Sequence, residues 1–411
     1  MAASVILSRP TWPARWGLLR DIQPSNVSAG CAAILIYAFG PIPMYLATAS
    51  PLDPGGNAPV SGVFVAFLTA GVGTIVLSVA YRQPLAVGWS MPGLIYMAAA
   101  APGHTLSEMV GACMLSSVAV AGLTLTGLAQ RLTAAIPLPV VMGMLAGSTL
   151  AYCVAPLDSF AAEPWLVGAP VAGFFAARKL GRTWLPPPAG ALAAGIVALA
   201  LAGEGSGMAL GAGVPELVPQ SASFDLTATL PLAMPLVVIT LVGNAQGLAV
   251  LEAQGYRAPF RAITGMTAVM SFVHALYAAP PASMQRAALA TVAGPDAGTA
   301  DRRYVAAVIA SIGAVGLAFT STSASDFTSA VPPEFIASIV GLMMLGVALE
   351  ALKKTVDSTA PTAGFVAFLV AASSLNAGGV GPAFWAVVAG VVVFWWTERR
   401  PSGLPSPSTG Q

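Results

Sequence analysis

The chain has 411 residues, of which 56% are apolar and only 8% charged, with a formal net charge of +1. A soluble domain carries about 25% charged residues, so this composition excludes a water-facing surface over most of the chain and points to lipid as its solvent. The near-zero charge offers no basic face for nucleic acid. Three isolated cysteines (Cys31, Cys113, Cys153) and two histidines give no disulfide framework, metal cluster or cofactor motif.

Residues 1–25 hold Arg9, Arg15 and Arg20 with Trp12 and Trp16, and no small-residue cleavage pattern follows them. The segment is expected to stay as a cytoplasmic arm with an amphipathic surface helix. Apolar stretches then succeed one another near 26–50, 60–80, 107–129, 134–155, 160–178, 186–203, 229–251, 261–280, 303–322, 334–352, 359–376 and 380–397. Each approaches the roughly 20 residues that a membrane-spanning helix needs. Two further stretches, near 92–103 and 282–293, are too short to span, and both begin at a Pro/Gly break, GWSMPG (88–93) and AAPPAS (278–283). Residues 398–411, rich in Pro, Ser and Gly, read as a disordered cytoplasmic tail.

Threading about fourteen segments alternately through a bilayer puts both termini and sixteen of the seventeen Lys and Arg residues on one side. By the positive-inside rule that side is the cytoplasm, and the long connection 204–228 is periplasmic. The base left over is Arg286, inside the second short segment. The expected fold is an all-α polytopic membrane protein of two inverted repeats of about seven segments, 26–203 and 229–397. The short segments fall third in each, the arrangement that marks a transporter's binding site.

An ionised Arg at membrane depth costs at least about 2.5–3.5 kcal/mol and is kept facing a cavity or a partner. The spans are read as holding no Asp or Glu to neutralise it, so its counter-ion is expected to be the substrate; the alternative is that Arg286 snorkels to an interface. Half-helix starts at Ser90, Pro92 and Gly93, and at Pro281, Ser283 and Met284 with Gln285, would add free N–H groups suited to an anion. Asn244 and Gln246 are candidate hydrogen-bond partners, with helix–helix polar packing as the alternative. Tyr37, Phe39 and Tyr96 are candidate walls, or plain core. His274 is a candidate proton relay, or a neutral histidine bonded between helices.

The runs PSNVSAG…LIYAFGP (24–41), YRQPLAVGWSMPGLIY (81–96), APGHTLSEMVGA (101–112), GLAVLEAQGYRAPF (247–260), AGPDA…RRY (293–304) and GPAFWAVVAG (381–390) resemble the benzoate:proton symporter (BenE-like) family nearly end to end. The resemblance implies the seven-plus-seven inverted repeat of nucleobase symporters and sulfate-permease-like exchangers. It also implies a gate domain moving against a core domain, with substrate between the third and tenth segments. The sequence departs from the family in AAPPASMQRAA (278–288): Pro280 stands where the resemblance implies His, and Ser283 where it implies Asn. Gln285 and Arg286 replace small or apolar residues, and Gln246 replaces an expected Pro.

The expected function is secondary active transport, in a bacterial inner membrane, of a small organic anion such as benzoate with protons. An anion exchanger or uniporter without proton coupling is the alternative. The expected partners are the anion, protons, the bilayer and a second copy of the chain as a homodimer. No Ser–Lys, Ser–His, HExxH or paired-aspartate constellation suggests an enzyme, and no GxxxxGK[ST] loop suggests ATP-driven transport.

Overall fold

The structure is a computed structural model that describes residues 17–39, 45, 53, 57–181, 187–203, 213–375, 377 and 381–398. The Trp12/Trp16 arm, residues 204–212 and the tail beyond 398 lie outside them. In chain order the helices are α1 (Gly17–Arg20), α2 (Pro24–Phe39), α3 (Ala58–Tyr81), α4 (Met91–Ala100), α5 (Leu106–Thr126), α6 (Leu128–Ala135), α7 (Leu138–Phe160), α8 (Pro164–Leu180) and α9 (Pro187–Leu201). The second half holds α10 (Leu226–Ala253), α11 (Phe260–Leu276), α12 (Arg286–Val292), α13 (Tyr304–Ala318), α14 (Ser321–Ala330), α15 (Pro333–Val356), α16 (Pro361–Ala372) and α17 (Pro382–Val393). Two three-residue strands, β1 (Val87–Trp89) and β2 (Ala282–Met284), precede α4 and α12.

Prolines in the first turn open α3, α7, α8, α15, α16 and α17, where the missing N–H would be unpaired anyway. Thr105 and Glu108 form a capping box on α5, and Asp225 caps α10 by accepting from the Thr227 N–H. Among the described residues five helices, α3, α5, α7, α10 and α15, are long and apolar enough to cross a membrane. Several stretches expected as full spans are shorter: α11 has 17 residues, α13 15 and α16 12. Hydropathy runs on through helix ends, whereas backbone breaks at turns such as Ser373 stop the helix. Two helices were not anticipated. Arg131, expected in a loop, lies on α6, and α14 follows α13 directly.

The elements sort into two packed groups. One joins α2, α3, α5, α10, α11, α12 and α13 with both strands, and the other joins α7, α8, α9, α15, α16 and α17. Small residues let the second group approach closely, as in membrane bundles: a Cβ on Gly143 of α7 would lie 1.8 Å from the Gly364 carbonyl of α16. The loops also sort. At one end of the helices Asp21 pairs with Arg82 (2.6 Å) and Arg302 (3.6 Å), Gln83 donates to the Arg257 carbonyl, and Tyr256 donates to that of Ala300. At the other end Ser61 donates to Glu216 O, and backbone N–H groups of Gly213, Gln220 and Ser223 donate to Phe319, Leu276 and Ser107.

Candidate functional site

The two breaks meet in the middle of the first group. β1 and β2 pair antiparallel with Val87 opposite Met284, Gly88 opposite Ser283 and Trp89 opposite Ala282. The ladder extends at both ends: Ser90 N–H donates to Pro281 O (2.7 Å) and Gln285 N–H to Ala86 O (3.0 Å). Each strand has one strand neighbour, so its other edge would be orphaned in a water-poor interior. Side chains from adjacent helices fill that edge. Thr74 Oγ1 accepts from Val87 N and donates to Val87 O (2.9 and 3.0 Å), and Ser78 does the same for Leu85. On the second strand Ser271 Oγ accepts from Ala282 N (2.8 Å), and Asn244 Oδ1 accepts from Met284 N (2.9 Å).

These fasteners reassign some predicted site residues. Asn244 is fully buried and its Nδ2 donates to Thr267 Oγ1 (2.9 Å), so both ends of its amide are spent on structure. His274 is also fully buried. Its Nδ1 is 2.7 Å from the Pro280 carbonyl, which only accepts, so Nδ1 carries the proton; Nε2 is 2.6 Å from Thr69 Oγ1. His274 thus pins the turn that leads into β2. Thr74, Ser78 and Ser271 were missed as site residues, because a hydroxyl in an apolar helix gives no sign of which backbone it will meet.

Between the two groups lies a cavity of about 400 Å³, within the usual range of small-molecule sites. Its first wall comes from the breaks: Trp89, Met91, Pro92, Ser283, Met284 and Arg286, with Val250 and Ala290 beside them. Its second wall comes from α7 and α15: Met142, Leu145, Val347, Glu350, Ala351 and Lys354. Of the predicted residues it gathers Arg286, Ser283, Met284 and Pro92, with Ser90 and Gly93 adjoining. Gln246 sits one helical turn before Val250 and so on the same face of α10; its Nε2 is buried without a protein partner among the described residues.

Other predicted residues lie elsewhere. Tyr37 and Gln285 line a narrow cleft with Phe67 and Thr74. Tyr96 lines another with Met109 and Leu236, its hydroxyl 3.5 Å from the Pro231 carbonyl. The Phe39 side chain falls outside the described residues. The aromatic wall is instead Trp89, 3% exposed and ring-packed on Tyr45 and Phe67 with centroids 5.6 and 5.1 Å away.

The charge pattern differs from expectation in two ways. Arg286 is not free of acidic partners: its Nη1 lies 3.2 Å from Glu350 Oε1, and Lys354 Nζ lies 2.7 Å from the same oxygen. Glu350 belongs to the stretch expected as a span, six residues before the end of α15. At 1.5 Å per residue it stands about 9 Å in from that end, deep enough to meet a residue at the start of a half-helix. The helix ends also contribute less than expected. Ser90 Oγ already accepts from the Gly93 N–H (3.2 Å), and α12 has seven residues and starts at Arg286 itself. The positive character of the cavity therefore rests on Arg286 and Lys354.

A charged cavity between two helical groups, floored by a pair of broken segments, defines an integral membrane transporter of small solutes. Residues 20–395 match the family model for the benzoate membrane transport protein, BenE, and the chain belongs to that family. It is a transporter family, not an enzyme family. The chain is 27% identical over 383 residues to the inner membrane protein YdcO of Escherichia coli, covering 92% of this chain and 96% of that protein. It is 23% identical over 386 residues to the benzoate membrane transport protein of Acinetobacter baylyi, with the same coverage. Among solved structures its fold is similar to the transmembrane domain of the cyanobacterial bicarbonate transporter BicA (TM-score 0.60, 16% identity, 94% of this chain and 98% of that one). It is also similar to SLC26A9 (TM-score 0.63, 14% identity, 94% of this chain and 68% of that one).

Proposed function

We propose that this protein is a secondary active transporter that carries a small organic anion, benzoate or a similar aromatic carboxylate, together with a proton. The observation that carries the reading is Arg286, a guanidinium in a mostly apolar cavity with Trp89 as its aromatic wall. Arg presents a planar fork that matches a carboxylate, and Trp89 with the methionines suits a flat apolar body. Residues Ser90, Pro92, Gly93, Ser283 and Met284 shape the floor, and the unpartnered Gln246 amide is a further donor toward the ligand.

The architecture we attach to this reading is fourteen segments in two inverted repeats. The strand register supports it: a two-fold axis between Gly88 and Ser283 exchanges Val87 with Ala282 and Trp89 with Met284. The group containing the strands would be the core and the α7–α9, α15–α17 group the gate. Both termini would be cytoplasmic and 204–228 periplasmic. A cysteine placed at Gly207, outside the described residues, should then react with a membrane-impermeant maleimide in intact cells, and protection there would invert the map.

A benzoate-like anion that enters with one proton moves no net charge. Uptake of labelled benzoate into proteoliposomes should therefore be driven by an inward proton gradient and be nearly indifferent to a potassium diffusion potential. Uptake that ignores the pH gradient would favour the second reading, anion exchange or uniport of another carboxylate or of bicarbonate. That reading draws on the likeness to the BicA fold and on Lys354, a second cation in the cavity.

A further inference from the structure

Arg286 and Glu350 stand on opposite walls of the cavity. Arg286 opens α12, in the group that holds the strands, and Glu350 lies on α15, in the other group. Their contact of 3.2 Å bridges the two groups across the space that a ligand would occupy. An anion that takes the guanidinium must displace the Glu350 carboxylate. If Glu350 stays ionised, two carboxylates then share one guanidinium, and like charges at that range repel. Lys354, one turn along α15 and 2.7 Å from Glu350, offsets part of that repulsion. The charged groups that act on Glu350 among the described residues are these two. Of the helices packed on α15, α9 and α16 carry no charged side chain among the described residues. Asp158 of α7 and Arg178 and Lys179 of α8 make no ion pair with Glu350.

We propose that Glu350 is the coupling carboxylate of the transport cycle: in the ligand-free state it occupies Arg286 as an internal stand-in for the substrate, and it takes up the transported proton when an anion replaces it. This inference rests on the reading of the cavity as an anion site. No bond other than an O–H is made. The proton comes from water on the side where the cavity opens, lodges on Glu350, and leaves when Glu350 returns to Arg286 after the anion has gone. Glu350 is reachable for this exchange, since its side chain is 56% exposed and that of Arg286 25%. Anion binding and proton binding are then linked, each raising the affinity for the other by the same factor. The pair also gives the unloaded protein a contact between its two groups that the loaded protein lacks.

The test is isothermal titration calorimetry of the detergent-solubilised full chain with benzoate, and separately with bicarbonate, from pH 5.5 to 8.5. Each titration is run in two buffers of different ionisation enthalpy, so that protons taken up per anion are counted directly. In the wild type the affinity should fall as pH rises, by up to about tenfold per pH unit, with up to one proton taken up per anion. Glu350→Gln keeps the shape and removes the titration: it should bind at least as tightly at pH 8, lose the pH dependence and take up no proton. A wild type that binds an anion without proton uptake overturns the proposal without needing the variant, and so does a Glu350→Gln protein that still takes one up. If either happens while Arg286→Ala abolishes binding, the anion site stands and only the coupling role of Glu350 falls. If neither anion binds the wild type at any pH, the anion-site reading falls and this inference with it.

Discussion

At the first break the chain runs from Trp89 through Ser90, whose hydroxyl caps the next turn, into the ten-residue α4; at the second it runs from Met284 through Gln285, which makes no cap, into the seven-residue α12. Extending the two-fold exchange that relates the two strands makes Ser90 the counterpart of Gln285 and Met91 that of Arg286. The backbones are treated alike, with a hydroxyl or amide from a neighbouring helix closing each strand edge. The chemistry is not: a capped, uncharged start faces a start that carries a guanidinium, and the buried Gln285 Oε1 has no partner among the described residues. Satisfaction of the backbone is needed twice because both breaks lie in a medium without water. On the proposed reading a charge is needed once, because one anion would occupy one site.

The largest way to test this contrast is to remove the charge. Arg286→Ala should weaken benzoate binding by about one to two orders of magnitude, the worth of a charge-assisted hydrogen bond of about 1.5–3 kcal/mol. Arg286→Lys keeps the charge but loses the fork and should fall between. Met91→Ala, at the corresponding position of the first break, should cost far less affinity. Equal losses in Met91→Ala and Arg286→Ala, read by equilibrium binding on monodisperse protein, would mean that the cavity selects by packing alone.

The strand fasteners come next. Thr74→Val on the first break and Asn244→Ala on the second each strand buried backbone groups, Val87 N and O in one case and Met284 N in the other. Each should lower stability by about 1–3 kcal/mol in thermal unfolding in detergent. If Asn244→Ala instead abolishes binding with stability unchanged, Asn244 is a ligand contact and not a fastener.

Close approach separates the breaks at their glycines. A Cβ on Gly247 would lie 2.4 Å from the Met284 Cβ, a backbone-anchored atom, whereas one on Gly88 would meet the Gln285 Nε2 at the same distance, the far end of a flexible chain. Gly247→Ala should therefore push β2 and cost about 1–3 kcal/mol, and Gly88→Ala should be accommodated by a rotamer change of Gln285. The same stability assay ranks them, and the reverse order would show that Gln285 is held rigidly.

The smallest effects concern the caps and the turn before β2. Ser90→Ala should cost about 0.5–2 kcal/mol, while Gln285→Ala removes no cap and should leave stability nearly unchanged. Ala278 holds a left-handed backbone with φ 56°. Ala278→Gly should relieve about 1–2 kcal/mol of strain, less about 0.5–1 kcal/mol of added chain entropy, a small net gain in midpoint temperature.

Acid should act differently on two helix starts, one in each half. Asp225 caps α10, and its hydrogen bonds from the Thr227 hydroxyl and N–H hold its carboxyl below the usual range. A depressed value means that this stabilisation is present above the unfolded carboxyl's titration near about pH 4 and is lost as pH falls through the lower, folded one. Ser90, which caps α4 by accepting from the Gly93 N–H, is a hydroxyl that does not titrate in this range. Hydrogen exchange below pH 4 should thus loosen the first turn of α10 and leave that of α4 as it was.

The sequence by itself determined the solvent, the order of apolar segments, the two breaks and the oddity of Arg286, because each of these is a local property: composition, run length, Pro/Gly placement and one charge out of pattern. The family resemblance was likewise carried by contiguous motifs. What lay beyond it was every pairing across the fold. Glu350 is 64 residues from Arg286, and its depth depends on where α15 stands beside α12, which no spacing in the chain encodes. Trp89 rather than Tyr37 or Tyr96 became the cavity wall, because strand register and helix packing choose which aromatic faces the gap between the two groups. Asn244 and His274 were visible as polar residues in apolar helices, but whether such a residue meets a ligand or a stray backbone group depends on what the tertiary structure sets opposite it. In a membrane interior every unpaired backbone group is costly enough to claim the nearest polar side chain.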